Sequence, residues 1–210
     1  MKEFKVAILT PTTGLNRSIY TWSLFQLVLY FSQNRIYPDV ENQSINYFPL
    51  EGSMISAARE RLIDEARDQG FSHGLFVDDD MSFTPNTLHV LANRQLPIVG
   101  CNYRFREPNG DFTALALDRK SRIQTSEESS GIEPCYHTGF GFCLIDLNIF
   151  DRLERPWFLI GYNTLSKRYT TEDIGLARRL EDTDISWYVD HDGTKLVKHR
   201  GFYDYSYKEK

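Results

Sequence analysis

The sequence has few cysteines, and they form no recognisable pairs. The 210 residues include 3 cysteines, none of them in a Cys-x-x-Cys arrangement. An odd number of scattered cysteines argues against a disulfide framework. We therefore expect Cys101, Cys135 and Cys143 to be reduced, buried thiols in a cytosolic protein.

Long apolar runs are also missing. The most apolar stretch extends from Ile19 to Phe31, and Ser23 and Gln26 interrupt it. A membrane-spanning helix needs about 20 apolar residues, so this stretch predicts a buried helix in a soluble core. No signal or transit peptide is visible, and we expect a cytoplasmic protein without a membrane span.

The sequence has no excess of basic residues. It contains 24 Lys and Arg against 29 Asp and Glu, a net charge of -5, which argues against a general nucleic-acid-binding protein. One segment could still form a local basic face, with Arg104, Arg106, Arg119, Lys120 and Arg122. The hydrophobic content of 41% and the charged content of 25% are typical of one soluble globular domain.

Strands and helices alternate in the N-terminal half, which predicts an α/β fold with a mostly parallel central sheet flanked by helices. The predicted strands are Lys5–Thr10, Ser44–Phe48, Leu75–Val77 and Pro97–Cys101; the predicted helices are Ser18–Gln33, Met54–Gln69 and one that starts at Thr84-Pro85. The second half is less regular: 104–131 is a polar excursion, followed by a glycine-interrupted strand (138–146), a helix (171–180) and a strand (185–189). In such sheets ligands bind beyond the carboxyl ends of the strands.

Three consecutive aspartates follow the apolar run that ends at Val77. On an extended chain Asp78 and Asp80 point to the same side, roughly 6–7 Å apart. Two carboxylates this close repel each other, and a divalent cation relieves the repulsion. Oxygen ligands suit magnesium, manganese or calcium. Taken alone, the triplet is more typical of a solvated turn. Its position beside the strand-end loop Pro11–Gly14 favours a binding site.

Two further segments carry candidate chemistry. Thr171-Glu172-Asp173 begins a helix, where the threonine can cap and the acids complement the helix dipole, or where a carboxylate can act as a general base. His199 follows the last apolar strand and is a candidate metal ligand. Its rival His191 lies in Asp190-His191-Asp192-Gly193, which resembles a fragment of a calcium loop without the closing glutamate.

An ordered series of motifs resembles glycosyltransferases of the GT-A fold, akin to family 2 and its small viral and bacterial relatives. The series covers most of the chain: Pro11-Thr12-Thr13, Ile55–Arg59, Phe76–Met81, Thr138–Phe142, Pro156-Trp157-Phe158, Thr171-Glu172-Asp173 and His199-Arg200-Gly201. The resemblance implies a Rossmann-like GT-A domain over residues 1–210. Residues 1–103 would bind the nucleotide-sugar, and residues 104–210 would bind the acceptor and carry the catalytic base.

The same resemblance implies a metal-dependent hexosyl- or pentosyltransferase that moves a sugar from a nucleotide-sugar to an acceptor hydroxyl by inverting displacement. The implied Mn²⁺ or Mg²⁺ ligands are Asp78, Asp80 and His199. The implied donor-binding residues are Pro11, Thr12, Thr13, Arg59, Asp78 and Asp79, the last of which would also orient the turn. Asp173 would be the base, ahead of Glu172, and the implied acceptor-binding residues are Tyr136, Gly139 and Trp157.

The acceptor and two other functions stay open at this point. The acceptor could be a saccharide, a protein, a small molecule or a hydroxymethylated base in phage-like DNA, and a viral origin would place the protein in the host cytoplasm. A nucleotidyltransferase on a similar sheet would need a glycine-rich basic loop after the first strand, and Pro11–Arg17 supplies one glycine and one arginine. A non-catalytic calcium- or sugar-binding module is the third alternative.

Overall fold

The computed structural model describes residues 3–14, 17–107, 110–164, 167–201 and 204–207. In chain order the elements are β1 (Glu3–Thr12), α1 (Ser18–Gln33), β2 (Asn42–Glu51), α2 (Ile55–Asp68), β3 (His73–Val77), β4 (Met81–Phe83), α3 (Thr87–Ala92), β5 (Ile98–Cys101), β6 (Ile132–Cys135), β7 (Phe142–Asp146), a 3-10 helix (Leu147–Arg152), β8 (Tyr162–Asn163), β9 (Arg168–Tyr169), α4 (Glu172–Leu180), β10 (Trp187–Asp190), α5 (His191–Thr194), β11 (Val197–Arg200) and β12 (Asp204–Tyr205).

A seven-stranded sheet in the order β2-β1-β3-β7-β5-β10-β6 forms the centre of the fold. Strands β2, β1, β3, β5 and β10 share one direction, because β3 and β5 are each antiparallel to β7. Strand β6 is antiparallel to β10. The prediction of a mostly parallel sheet with flanking helices is confirmed. The antiparallel strand between β3 and β5 was not predicted, and it brings the start of β7 to the carboxyl end of β3.

The central strand β3 is buried at all five positions because helices cover both faces of the sheet. Phe76 packs on one face in a hydrophobic cluster with Leu62 of α2 and Leu176 of α4. Leu75 and Val77 point to the other face, in a cluster that includes Tyr20, Leu27 and Phe31 of α1. The apolar run that precedes the aspartates is therefore the middle of the core, so the aspartates emerge from a rigid element.

Helix α1 has the predicted bounds but is buried on one face only. Trp22 and Phe25 on its outer face are 59% and 60% exposed. Among the described residues no helix is long and apolar enough to cross a membrane. The three cysteines are free and buried, as expected.

Three predicted boundaries are wrong, two of them at the edge of the sheet where β3 ends. Strand β1 does not stop at Thr10 but continues through Pro11 and Thr12, because β2 is long enough to pair with both. The predicted strand 138–146 begins only at Phe142, because Thr138–Gly141 leaves the sheet. Helix α3 likewise starts at Thr87 rather than at Thr84-Pro85.

A second, three-stranded sheet in the order β12-β11-β4 adjoins the acidic triplet. Strand β4 begins directly after Asp80 and pairs antiparallel with β11, with His199 opposite Met81. This register places His199 next to the residue that follows Asp80, at the end of β3. The described part of segment 104–131 contains isolated bridges, Arg104–Phe112 and Leu115–Arg122, in place of a regular strand.

Candidate active site

The three aspartates lie at the carboxyl end of β3, and each binds a different part of the protein. The Asp78 amide donates a hydrogen bond to the Gly141 carbonyl (3.2 Å), which fixes the start of the triplet against the loop that precedes β7. The three carboxylates are half-buried. Their partners come from α2, from the end of β1 and from β11, so the triplet is the point where distant segments converge.

Asp78 binds a buried arginine that also binds the start of α4. Arg59 is 1% exposed; its Nη2 lies 2.9 Å from Asp78 Oδ1, and its Nε lies 3.2 Å from Glu172 Oε1. Its guanidinium stacks on the Phe76 and Phe140 rings, 5.1 and 4.9 Å from the centroids. Burial alone would lower the pKa of Arg59, but Asp78 and Glu172 outweigh it and raise that pKa. Arg59 therefore ties the end of β3 to the helix that carries the predicted base.

Asp79 joins the triplet to the end of β1. Thr12 Oγ1 donates to Asp79 Oδ2 (2.7 Å) and accepts from the Gly14 amide (3.0 Å). Pro11 is half-buried and Thr13 is exposed. The ends of the two parallel strands thus lie side by side, as expected from the fold rule for such sheets.

Asp80 faces His199, and the hydrogen bonds of that histidine define its orientation. His199 Nδ1 lies 2.9 Å from the Arg104 carbonyl oxygen, which can only accept, so Nδ1 carries a proton. The other nitrogen, Nε2, lies 3.3 Å from Asp80 Oδ2. Two states fit this geometry: an imidazolium that donates from both nitrogens, or a neutral ring whose Nε2 lone pair faces the carboxylate with a cation between them.

The Asp80 carboxylate is kept ionised by its cationic surroundings. Burial would raise its pKa, but His199, Arg106 and Arg17 outweigh that effect and hold the pKa below its usual value. Arg106 Nη1 lies 2.8 Å from Asp80 Oδ2. The other oxygen, Oδ1, is buried and makes no hydrogen bond in the described part of the chain. An ionised carboxylate with an unsatisfied buried oxygen is a group that a ligand can complete.

Tyr103 supports His199, and two glycines make room for it. The Tyr103 and His199 rings meet edge to face with centroids 5.1 Å apart, and Tyr103 Oη accepts from the Gly141 amide (2.8 Å). A Cβ on Gly139 would lie 2.3 Å from Tyr103 Oη, and one on Gly141 would lie 2.6 Å from Tyr103 Cζ. The glycines of 138–142 therefore admit a tyrosine side chain. Sequence reasoning missed Tyr103, whose only signal is an aromatic residue just after β5.

The start of α4 holds two carboxylates in different states. Thr171 occupies the N-cap position, but its hydroxyl binds Asp173 Oδ1 and makes no capping bond to the backbone. Burial raises the pKa of Glu172, although Arg59 opposes the shift. Burial would also raise the pKa of Asp173, but His137 and Thr171 outweigh it and lower that pKa. Asp173 is thus the more firmly ionised of the two.

His137 was not predicted as a site residue, and it adjoins Asp173. Its Nδ1 lies 3.2 Å from Asp173 Oδ2 without hydrogen-bond geometry, and neither ring nitrogen has a hydrogen-bond partner in the described residues. The contact depends on the irregular course of the chain between β6 and β7, so no local sequence pattern signals it.

The structure buries one of the predicted acceptor residues in the core and leaves a second untested. Trp157 is 2% exposed, packs against Phe150 with ring centroids 4.6 Å apart and donates from Nε1 to the Leu153 carbonyl. It belongs to the core. Tyr136 donates from Oη to Glu181 (2.7 Å) and lies under the Arg119 guanidinium. Its role at the acceptor stays a prediction.

The protein ligands for a metal are few. Within the described residues, no group of three or more His, Cys, Asp or Glu side chains is placed to hold an ion. Asp78 is paired with Arg59, which leaves Asp80 and His199 as two potential ligands. Two protein ligands do suit an ion that completes its shell with phosphate oxygens and water, as Mg²⁺ sites commonly do.

Comparisons with known proteins show the fold and not a family. No family model matches the sequence, and no curated protein matches it. Among solved structures, the viral protein A197 from STIV is 15% identical with a TM-score of 0.57, covering 99% of this chain and 92% of that one. GalNAc-T7, crystallised with UDP, GalNAc and Mn²⁺, is 9% identical with a TM-score of 0.58, covering 94% of this chain and 43% of that one. The chain therefore has a GT-A-like fold, and membership of family 2 stays a prediction.

Proposed function

We propose that this protein is a divalent-metal-dependent glycosyltransferase that moves a sugar from a nucleotide-sugar to an acceptor hydroxyl. The observation that carries the proposal is the pairing of Asp80 with His199 at the carboxyl end of β3. Nδ1 of the histidine is bound to a backbone carbonyl, so Nε2 is turned toward the carboxylate, whose Oδ1 is buried and has no hydrogen-bond partner among the described residues. A GT-A-like fold supports the reaction class.

Asp80 and His199 fit a resident Mn²⁺ or Mg²⁺. The carboxylate suits either ion, and the imidazole favours Mn²⁺ over Mg²⁺, since Mn²⁺ is the transition metal of the two. When bound there, such an ion would neutralise the charge that develops on the diphosphate leaving group. Asp78 is the further predicted ligand, and its pairing with Arg59 favours a role beside the donor instead.

The donor would lie along the ends of β1 and β3. Thr12 and Asp79 join the two strand ends, with Pro11 and Thr13 beside them, and Asp78 remains 27% exposed at the same edge. Arg17 and Arg106 stand close enough to Asp80 to hold its pKa down, and their charges suit a diphosphate. Residues 1–103 thus supply most of the proposed donor site.

Asp173 is the proposed base that takes the proton of the acceptor hydroxyl. Its depressed pKa keeps it ionised at neutral pH. Glu172, bound to Arg59, orients the start of α4 against the end of β3. An in-line attack with one positioned base inverts the anomeric centre. The acceptor, held by residues 104–210 near Gly139, is a saccharide, a small molecule or a hydroxymethylated base in phage-like DNA.

Release of nucleoside diphosphate from a panel of nucleotide-sugars tests this function. We expect release from at least one donor in the presence of Mn²⁺, with UDP-sugars tried first, and loss of release when EDTA is added. Asp80→Ala should reduce release at least about a hundredfold, because charge stabilisation of the leaving group is a large catalytic term. The exposed Asp184→Ala is the matched control and should keep full activity. Undiminished release in Asp80→Ala would overturn the proposal.

A further inference from the structure

We propose that Arg106 is the internal counter-ion of Asp80 and that a divalent cation must displace it in order to bind. The inference rests on the proposed metal role of Asp80 and deepens it. Arg106 would thereby make metal binding depend on the diphosphate that accompanies the metal.

The contact between Arg106 and Asp80 is close but weakly anchored on the arginine side. Arg106 Nη1 lies 2.8 Å from Asp80 Oδ2, the same oxygen that faces His199 Nε2. The Arg106 side chain is 49% exposed, whereas the Asp80 side chain is 14% exposed. Arg106 lies in a short turn after β5, in which the Glu107 amide donates to the Phe105 carbonyl (2.9 Å). A half-exposed arginine can return to water at low cost, while the carboxylate cannot.

A guanidinium and a divalent cation compete for Oδ2, the Asp80 oxygen that faces His199. An ion held by Asp80 and His199 would occupy the space between Oδ2 and Nε2, directly beside the Arg106 nitrogen. Three positive charges on two adjacent groups in a mostly buried site repel strongly. Binding of the metal alone therefore requires the loss of the Arg106–Asp80 ion pair, and this loss weakens the apparent affinity for the metal.

A diphosphate offers the displaced arginine a new partner. The planar guanidinium matches two phosphate oxygens at once, and it would start from a position next to the metal. The metal and the diphosphate would then each favour binding of the other, since the arginine released by one is bound by the other. Truncation of Arg106 should remove the competition and the coupling together.

Isothermal titration with Mn²⁺, without nucleotide, tests the competition. Arg106→Ala should bind Mn²⁺ about fivefold more tightly than the wild type, the effect expected for loss of a half-exposed ion pair. Arg106→Lys keeps the positive charge and should stay near the wild type. Arg119→Ala removes an exposed arginine of the same segment that pairs with Glu181, and it should leave Mn²⁺ affinity unchanged. Equal or weaker Mn²⁺ binding by Arg106→Ala would overturn the inference.

A second titration measures the coupling, and Asp80→Ala separates the two proposals. Saturating Mn²⁺ should tighten UDP binding in the wild type by a larger factor than in Arg106→Ala; equal factors would count against the inference. If Asp80→Ala loses Mn²⁺ binding while Arg106→Ala binds as the wild type does, the role of Arg106 fails and the metal site stands. If neither the wild type nor Arg106→Ala binds Mn²⁺, both proposals fail. Unchanged melting temperatures would show that the variants are folded.

Discussion

The ends of β3 and β10 each carry a cluster of aspartates, and among the described residues only the cluster after β3 has a buried carboxylate oxygen without a hydrogen bond. Strand β3 ends in Asp78-Asp79-Asp80, and β10 ends in Asp190, followed by His191 and Asp192. Both strands are parallel members of the same sheet, so both segments lie at its carboxyl edge. In sequence the first segment has three consecutive aspartates and the second places His191 between two aspartates, and each could be read as a metal loop.

At the end of β10 the fold itself satisfies the polar groups. Asp190 is fully buried; its Oδ2 lies 2.6 Å from Arg94 Nε, and its Oδ1 accepts from the Gly193 amide (2.8 Å). His191 Nδ1 lies 2.9 Å from Thr125 Oγ1, and its Nε2 lies 3.2 Å from Glu133. The cluster is a structural ion pair with a helix cap, and His191 does not adjoin Asp80.

At the end of β3, the half-exposed side chain of Arg106 supplies the positive charge that pairs with Asp80. Arg106 can leave Asp80, and the Oδ1 atom makes no hydrogen bond in the residues described. The comparison teaches that an acidic strand end indicates a binding site only when its partners are incomplete or displaceable. Sequence shows the acids, but not the partners.

The largest expected difference between the two segments is between the effects of Asp80→Ala and Asp190→Ala on activity and on stability. Asp190→Ala removes a cap and a buried ion-pair partner, so we expect the free energy of unfolding to fall by about 3 kcal/mol. Turnover per folded molecule should be retained. Asp80→Ala should show the reverse, with nucleoside diphosphate release lost and a smaller loss of stability, because its partner Arg106 is half-exposed. Urea unfolding and release assays on both variants measure this, and equal destabilisation by the two substitutions would remove the distinction.

Gly139→Ala tests whether the site at the end of β3 depends on the position of Tyr103. The added methyl group would overlap Tyr103 Oη, so the ring must move away from His199 and from the Gly141 amide. We expect a loss of about 1–3 kcal/mol in the free energy of unfolding, with weaker Mn²⁺ binding. Gly52→Ala is the control, because its nearest neighbour would be Ala58 Cβ at 3.9 Å. Equal stability and metal affinity in both variants would show that Tyr103 is not a support.

The smallest expected effect concerns pH, and it compares two adjacent carboxylates. The folded pKa of Asp173 lies below its usual 3.8, so its contribution to stability is complete above 3.8 and is lost as pH falls through the folded pKa. The folded pKa of Glu172 lies above its usual 4.5, so the cost of its burial is complete at high pH and is relieved as pH falls toward 4.5.

Urea unfolding between pH 7 and pH 3 checks these signs. The stability advantage of the wild type over Asp173→Asn should shrink below pH 4. Relative to Glu172→Gln, the wild type should gain stability as pH falls toward 4.5. Parallel pH profiles for both variants would contradict the assigned difference between the two carboxylates.

Much of the framework could be predicted from local patterns. The bounds of α1 match the prediction, and Gly70 ends α2 in a left-handed conformation (φ 76°) just past the C-cap, as its position indicated. The emergence of Asp78–Asp80 from a buried strand followed from the apolar run before it. Arg59 was predicted at the donor site, yet its polar character could not reveal that Asp78, Glu172 and two phenyl rings would bury it.

Other assignments needed contacts that no local pattern encodes. Trp157 was predicted at the acceptor on the basis of resemblance, but it packs against Phe150 in the core. Tyr103 and His137 were missed, since their importance comes from partners 96 and 36 residues away, His199 and Asp173.

By itself the sequence determined that a buried parallel strand ends in three carboxylates, because apolar periodicity and the avoidance of aspartate inside strands are local properties. Only the tertiary structure decided which carboxylate is open to a ligand. The β4–β11 register sets His199 opposite Met81 and so beside Asp80. Arg59 binds Asp78, and Thr12 binds Asp79. The reason is physical: the state of a carboxylate depends on the charges and donors around it, and long-range pairing brings these together.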